Sequence, residues 1–463
     1  MKKLELEYVI SAVAQGMFPN NKKLDAQAQD QIRIGLQSIV EVVRADVKKN
    51  CKHYTPQLSM LFNAYTEDQY IDYFKYLENM HMENVYADSG GLQIVTTGKE
   101  KTEELKQGVY EIQAYADYAM CFDEIPLTRK EGQEHKRTRN ERSNTGNKLY
   151  HHSRLIASGN ETGKNIKAQI ETFKRLKTDT KVVPIVQGNS AEDMVVFFDE
   201  ISRLLKGDDW DHVSGLAVAD TCIGNGELES IEMLRAAHKI ADYCHPNVAK
   251  HLHILGVGSI MRMRPIIYLQ RSKYLDSYKK ISYDSSSHTS TFTYGLLKVN
   301  GTCKPLGGHR NKKVEEHFKN VYRLFSAYLE WMKVSEWQFL EIILGPKQAN
   351  RTHETTLDTW THAAIKERAL TGKMGYLNIQ DPETVITIAH LAKAFHTLYQ
   401  IHNFMICLDG IWKDKFRGDP MTNLLKVKND DDMDRWMKVM KTEIRSKRIE
   451  RNSNKATLEG LIV

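Results

Sequence analysis

Residues Lys181–Asp220 read KVVPIVQGNSAEDMVVFFDEISRLLKGDDWDHVSGLAVAD. A short β-branched run, Val182–Val186, ends at Gln187-Gly188 and is followed by a helical stretch, Ala191–Leu205. A second apolar run, Val213–Val218, then leads into Ala219-Asp220. Strand, helix and strand in this order predict a parallel βα unit. The pattern extends in both directions. Further strands are expected at Val85–Ala87, Tyr118–Phe122, His253–Val257 and Lys280–Tyr283, with helices at Lys164–Lys177 and Ser230–Ala241. Upstream, Ile32, Leu36, Ile39, Val40 and Val43 recur at helical spacing within 24–49, and another helix is expected at Glu67–Asn79. Alternation sustained over this length favours an α/β fold of the TIM (β/α)8 barrel type, in which chemistry lies at the carboxyl ends of the strands.

Two regions depart from that rhythm. Residues 129–167 hold ten Lys and Arg against four Glu and include the turn signal Asn144-Thr145-Gly146-Asn147, so they read as an exposed basic insertion. After residue 312 the pattern becomes mainly helical, at Val314–Val334 and Glu383–Phe404, with Tyr328, Trp331, Trp337 and Phe339 as core aromatics. The expected organisation is therefore a barrel over 1–312 and a helical region over 313–463 that ends in a basic tail carrying Lys438, Lys441, Arg445, Lys447, Arg448 and Arg451. The net charge of +6 is compatible with a polyanionic partner. No apolar run is long enough for a membrane span, and the charged start Met1-Lys2-Lys3-Leu4-Glu5 argues against a secretory signal. Six scattered cysteines without a CxxC pair suit a reducing cytoplasm.

Polar motifs follow the apolar runs one after another. They are Asp88-Ser89-Gly90-Gly91-Leu92-Gln93, Cys121-Phe122-Asp123-Glu124, Pro184-Ile185-Val186-Gln187-Gly188, Ser214-Gly215-Leu216-Ala217-Val218-Ala219-Asp220, Leu255-Gly256-Val257-Gly258-Ser259 and Ser282-Tyr283-Asp284-Ser285. Acids and amides at strand ends supply nucleophile, proton-transfer and hydrogen-bonding groups, and paired glycines let backbone approach a flat ligand. His251, His253 and His288 read as core or surface histidines.

Taken together and in this order, these motifs resemble the tRNA-guanine transglycosylase family over roughly residues 80–300. The resemblance implies a TIM barrel that exchanges guanine for a 7-deazaguanine through a covalent aspartyl-sugar intermediate, without a redox or organic cofactor. It implies Asp284 as nucleophile and Asp88 as general acid/base. Asp123, Gln187 and the Gly215-Leu216 backbone would read the base, with Ser89, Gly90, Gly91, Gln93, Leu255 and Gly256 completing the binding set. The family's zinc motif, CxCxxC followed by His, has no counterpart. Cys303 stands alone, with His309 and His317 at irregular spacing, so no metal of that type is expected. Leu92 occupies the place of an aromatic, Asp220 that of a Glu, and Ser214 that of a Gly. These departures point to the DNA-guanine transglycosylase branch, which inserts 7-cyano-7-deazaguanine or a derivative into DNA. The implied partners are DNA, a free 7-deazaguanine base and a second copy of the chain. The implied location is cytoplasmic, in the host cytoplasm for a virus-encoded chain. A tRNA substrate, or a catalytically silent barrel that binds nucleic acid, are the competing expectations.

Overall fold

The computed structural model describes residues 5–10, 47–65, 82–91, 100–126, 152–188, 190–219, 227–285, 296–299, 302–305, 404–411 and 420–440, with isolated positions in 40–45 and at 94, 401 and 442. Nine strands form one sheet: β1 (Glu5–Ile10), β2 (Thr55–Asn63), β3 (Val85–Asp88), β4 (Tyr118–Met120), β5 (Lys181–Val183), β6 (Ile185–Val186), β7 (Leu216–Val218), β8 (His251–Ile254) and β9 (Lys280–Asp284). Their order is β5-β4-β3-β2-β1-β9-β8-β7-β6, and every pairing is parallel. Parallel neighbours need crossovers, and the described ones are α1 (Glu103–Gln113), α2 (His152–Leu176), α3 (Ala191–Leu204), α4 (Glu227–Tyr243) and α5 (Ile260–Ser272). Consecutive helices pack on one another around the sheet. Side-chain caps start three of them: Thr102, Ser190 and Ser259 accept from Leu105 N, Asp193 N and Arg262 N.

The sheet curls round until its two ends nearly meet. Its terminal strands, β5 and β6, are consecutive in the chain and separated only by Pro184. Proline has no N–H to give to a ladder, so the strand is interrupted there. Its carbonyl still accepts from Ala217 N at 2.7 Å, and Ser214 N reaches Val182 O at 3.0 Å, so the one segment touches β4 on one side and β7 on the other. Contacts through the lumen agree. Tyr86 on β3 stacks on His253 of β8 at 5.5 Å although three strands separate them in the sheet, a contact that only a curled sheet allows. The result is an α/β architecture built on a nearly closed parallel barrel.

The observed elements refine the expected ones. His253–Val257 is displaced to His251–Ile254, because Gly256 turns with φ +74° and ends the extended run. Val213–Val218 shortens to Leu216–Val218 because Gly215 takes φ +95°. The expected loop 129–167 is helix from His152 onward, since α2 runs for 25 residues and buries Leu155, Ile166 and Ile170 beneath its charged face. Two strands, β1 and β2, and the hairpin Leu296–Val299 with Thr302–Pro305 were not anticipated. The helices expected at Glu67–Asn79 and Val314–Val334, and the basic residues 129–151, lie outside the described residues. In the C-terminal region, helical residues 404–411 dock on the barrel. Tyr54 OH donates to Met405 O at 2.7 Å, and buried Asp409 accepts from the backbone N–H groups of Lys52 and His53, both at 2.9 Å. No described helix is long and apolar enough to cross a membrane.

The lumen is polar. Glu7, fully buried, accepts from Ser59 Oγ, from Asn84 Nδ2 at 2.6 Å and from Tyr86 OH at 2.6 Å, and it pairs with Lys280 Nζ at 2.7 Å. Removing one member of a buried ion pair leaves the other uncompensated, at a cost of about 3–5 kcal/mol. Glu7→Leu should therefore destabilise the fold by that order in urea denaturation. Adding Lys280→Met to the same chain should restore more than half of the loss, because both charges are then gone.

Candidate active site

The polar motifs gather where the strands end. Asp88 is the last residue of β3 and Asp284 the last of β9, while Asp123 and Gln187 follow β4 and β6. Buried amides hold two of these ends in place. Gln113 of α1 donates to Ala87 O at 3.1 Å and to Met120 O at 2.8 Å, and Gln169 of α2 donates to Gln113 Oε1 at 2.6 Å. Asn165 Nδ2 reaches Phe122 O at 3.0 Å. One network thus sets the strand ends from which Asp88 and Asp123 project.

Gly90 and Gly91 make the approach possible. Gly90 has φ +73°, and a Cβ there would lie 2.4 Å from Tyr65 Cβ. A Cβ on Gly91 would lie 2.8 Å from Asp123 Oδ1, so the chain passes against that carboxylate only because the side chain is absent. Ser89 is buried and its Oγ accepts from Gly91 N at 3.3 Å, which stabilises the turn.

Asp123 is buried and accepts from Gln187 Nε2 at 2.6 Å. Gln187 is buried as well, and its Oε1 has no hydrogen-bond partner among the described residues. A buried amide oxygen left open is costly unless a ligand donor satisfies it. Carboxylate and amide side by side therefore present a planar edge with unused acceptors. Asp284 Oδ1 accepts from Gly256 N at 2.9 Å and lies 3.5 Å from His253 Nε2.

Burial and two neighbouring carboxylates bear on the protonation of Asp88. Burial pushes the Asp88 carboxyl up to about 7; Asp123 adds to the rise, the backbone N–H of Gly90 partly opposes it, and Asp284 contributes a smaller push. Burial raises Asp123 to about 6, against the hydrogen bond from Gln187 and the charge of Lys101. A carboxyl held near neutrality has the pKa that proton transfer in either direction requires.

The chain matches no family model and no curated protein.

The remaining expected residues divide. Gly256 joins the mouth through Asp284, and Leu255, half-buried, follows β8 with its N–H on Val218 O at 3.0 Å. Gly215 and Leu216 do not join it. They sit at the amino end of β7, with Leu216 fully buried opposite Leu252, and a Cβ on Gly215 would meet His251 O at 2.7 Å. Gln93, Leu92 and Asp220 lie outside the described residues. Among the described residues no three His, Cys, Asp or Glu side chains are grouped to hold a metal. For a zinc of the kind the resemblance implies, the sequence offers Cys303 as the one thiol near His309 and His317, and both histidines lie outside the described residues.

His251 and His253 are buried, as expected of core histidines, but the approach of His253 to Asp284 was not anticipated. The available signal was polar alternation on neighbouring strands, His251 and His253 on β8 beside Lys280, Ser282 and Asp284 on β9.

A carboxyl raised in the folded state favours folding fully below its unfolded pKa and loses that contribution as pH rises through the folded value. With Asp88 raised from 3.8 to about 7, its share of stability should fall between those limits. Urea denaturation from pH 4 to 8 should show stability declining with pH, and Asp88→Asn should flatten the decline. An unchanged slope in the variant would contradict the assignment.

Proposed function

We propose that this chain is a base-exchange transglycosylase that replaces guanine in DNA with a 7-deazaguanine, 7-cyano-7-deazaguanine in the first instance, on a (β/α)8 barrel. Counting β5 and β6 as one strand broken at Pro184 reduces nine strands to eight. The observation that carries the reading is the convergence of Asp88, Asp123 and Asp284 at one mouth, with one carboxyl poised near neutrality and another paired with an amide.

The chemistry divides into two displacements. The Asp284 carboxylate attacks C1′ of the target nucleotide as the C1′–N9 bond breaks, and its electron pair leaves with the guanine. Protonated Asp88 supplies the proton that the departing base takes up. The incoming 7-deazaguanine then gives its N9 proton to the Asp88 carboxylate and attacks C1′. The ester bond to Asp284 breaks and the carboxylate returns. Two displacements at one carbon retain its configuration. Asp123 accepts from the N1–H and amino group of the base, and Gln187 Oε1 has a free acceptor beside it. A polymer-bound guanine must leave its stack to reach a barrel mouth, at roughly a few kcal/mol. The basic excess of residues 129–167 in the sequence suits contacts with a phosphate backbone. Lack of the family's zinc motif favours DNA over tRNA as the polymer.

Radiolabelled guanine incubated with the chain and either duplex DNA or tRNA should enter DNA; label in tRNA alone would overturn the choice of polymer. Asp284→Ala should abolish exchange while leaving the thermal midpoint within a few degrees. Gly91→Ala should force Asp123 aside and break its bond from Gln187, weakening guanine binding by about tenfold or more in calorimetry. Undiminished binding in that variant would remove Asp123 from base recognition.

A further inference from the structure

A column of polar side chains runs through the lumen to Asp284. From the amino end of β9 it passes from Lys280 to Glu7 and Tyr86, then to Ser282, and from Ser282 to the imidazoles of His251 and His253. Both histidines are buried, and His253 has no exposed surface. His253 Nδ1 lies 2.6 Å from Ser282 Oγ, and its Nε2 lies 3.5 Å from Asp284 Oδ1. Apart from that carboxylate, Nε2 has no hydrogen-bond partner among the described residues.

Lone-pair repulsion at Asp284 selects one arrangement of the hydrogens along this column. His251 Nε2 also sits on Ser282 Oγ, and its Nδ1 has no partner among the described residues. Burial, with Lys280 and His253 nearby, keeps His251 neutral. Its single proton belongs on Nε2, donated to Ser282, because on Nδ1 it would be a buried donor without an acceptor. The serine hydroxyl then turns its hydrogen to His253 Nδ1, which leaves the His253 proton on Nε2, facing Asp284. The reverse direction would strand the His251 proton and set a bare nitrogen lone pair against a carboxylate. Two unfavourable contacts decide against it, and turning the hydroxyl to Tyr86 OH instead would still set the bare His253 Nε2 against the Asp284 carboxylate.

We propose that His253 is a positioning residue for the exchange reaction, its Nε2–H and the Gly256 N–H together holding Oδ1 of Asp284 so that Oδ2 is the oxygen presented to C1′. This rests on the transglycosylase reading for the identity of the reaction, and on the column alone for the geometry. Gly256 N donates to Oδ1 at 2.9 Å, and no described residue bonds to Oδ2. The 3.5 Å gap to His253 shortens to a full hydrogen bond when substrate closes the mouth, as catalytic contacts do on forming the reactive complex. Ser282 and His251 act one step further back by setting the tautomer. Gly215 belongs to the same device, since only a glycine lets the β7 backbone lie against His251, where a Cβ would come within 3.1 Å of Nδ1.

Two measurements decide it. In ¹⁵N-histidine spectra of the full chain, His253 should carry its proton on Nε2, and that resonance should move in Asp284→Asn. A bare Nε2, or a resonance indifferent to Asp284→Asn, would overturn the proposal whatever the enzyme does. In the exchange assay, His253→Leu should lower kcat by about 10–100-fold with KM within twofold, because misplacement of a nucleophile is felt in the chemical step. His253→Gln keeps an N–H donor at similar reach and should recover most of the rate, with Ser282→Ala falling between. A leucine variant with wild-type kcat, or one changed in KM alone, would overturn the proposal; should it fail to fold, the glutamine variant and the spectra still decide. Wild-type protein that exchanges label into neither polymer would instead sink the transglycosylase reading, with the spectra still deciding the contact between His253 and Asp284.

Discussion

Glu7 carries a negative charge at a point with no exposed surface, and four side chains from around the barrel converge on it. Ser59 comes from β2, Asn84 from the entry to β3, Tyr86 from β3 and Lys280 from β9. A buried carboxylate survives only when it is paired and its lone pairs are filled. This requirement places β2, β3 and β9 at fixed register around β1. Barrel interiors are commonly filled by branched apolar side chains, which pack in many ways. Here directional bonds fill the space, and a one-residue slip of β9 would withdraw Lys280 and turn Ser282 and Asp284 away from the lumen.

From that anchor the column continues upward and changes its purpose. At the level of Glu7 the polar groups hold strands together. Two residues further along β9, Ser282 links two histidines, and two further still Asp284 reaches the mouth. The period of two along a strand converts a local pattern into a line of polar side chains along the barrel axis. At the mouth the physics reverses. Instead of satisfying every group, the structure brings three carboxylates together and leaves the Gln187 oxygen without a partner among the described residues. Satisfied polar pairs are concentrated low in the barrel and open polar groups at its carboxyl end.

Much of this was legible in advance. The strands ending in Asp88, Asp123, Gln187 and Asp284 were marked by apolar runs followed by polar residues, and all four side chains stand where those runs end. The misses have local causes. β1 and β2 lie far from any glycine-rich motif, and their inward Glu7 and Ser59 break the apolar run expected of a buried parallel strand. His253 is the core histidine it was expected to be, but its nearness to Asp284 was not legible because the two lie on different strands, far apart in sequence. Gly215 was assigned to the ligand by its motif, whereas it packs against a histidine.

The sequence by itself determined the alternation of strands and helices from Val85 onward and the residue types that arrive at the carboxyl ends. These are encoded within a few neighbouring positions, through side-chain periodicity and the special backbone of glycine and proline. The tertiary structure alone decided that β5 and β6 meet around Pro184, that Tyr86 crosses the lumen to His253, and that Asp88 is raised to about 7 by burial and by Asp123. Those properties depend on groups distant in the chain and near in space, and no local pattern specifies the distances over which charges and hydrogen bonds act.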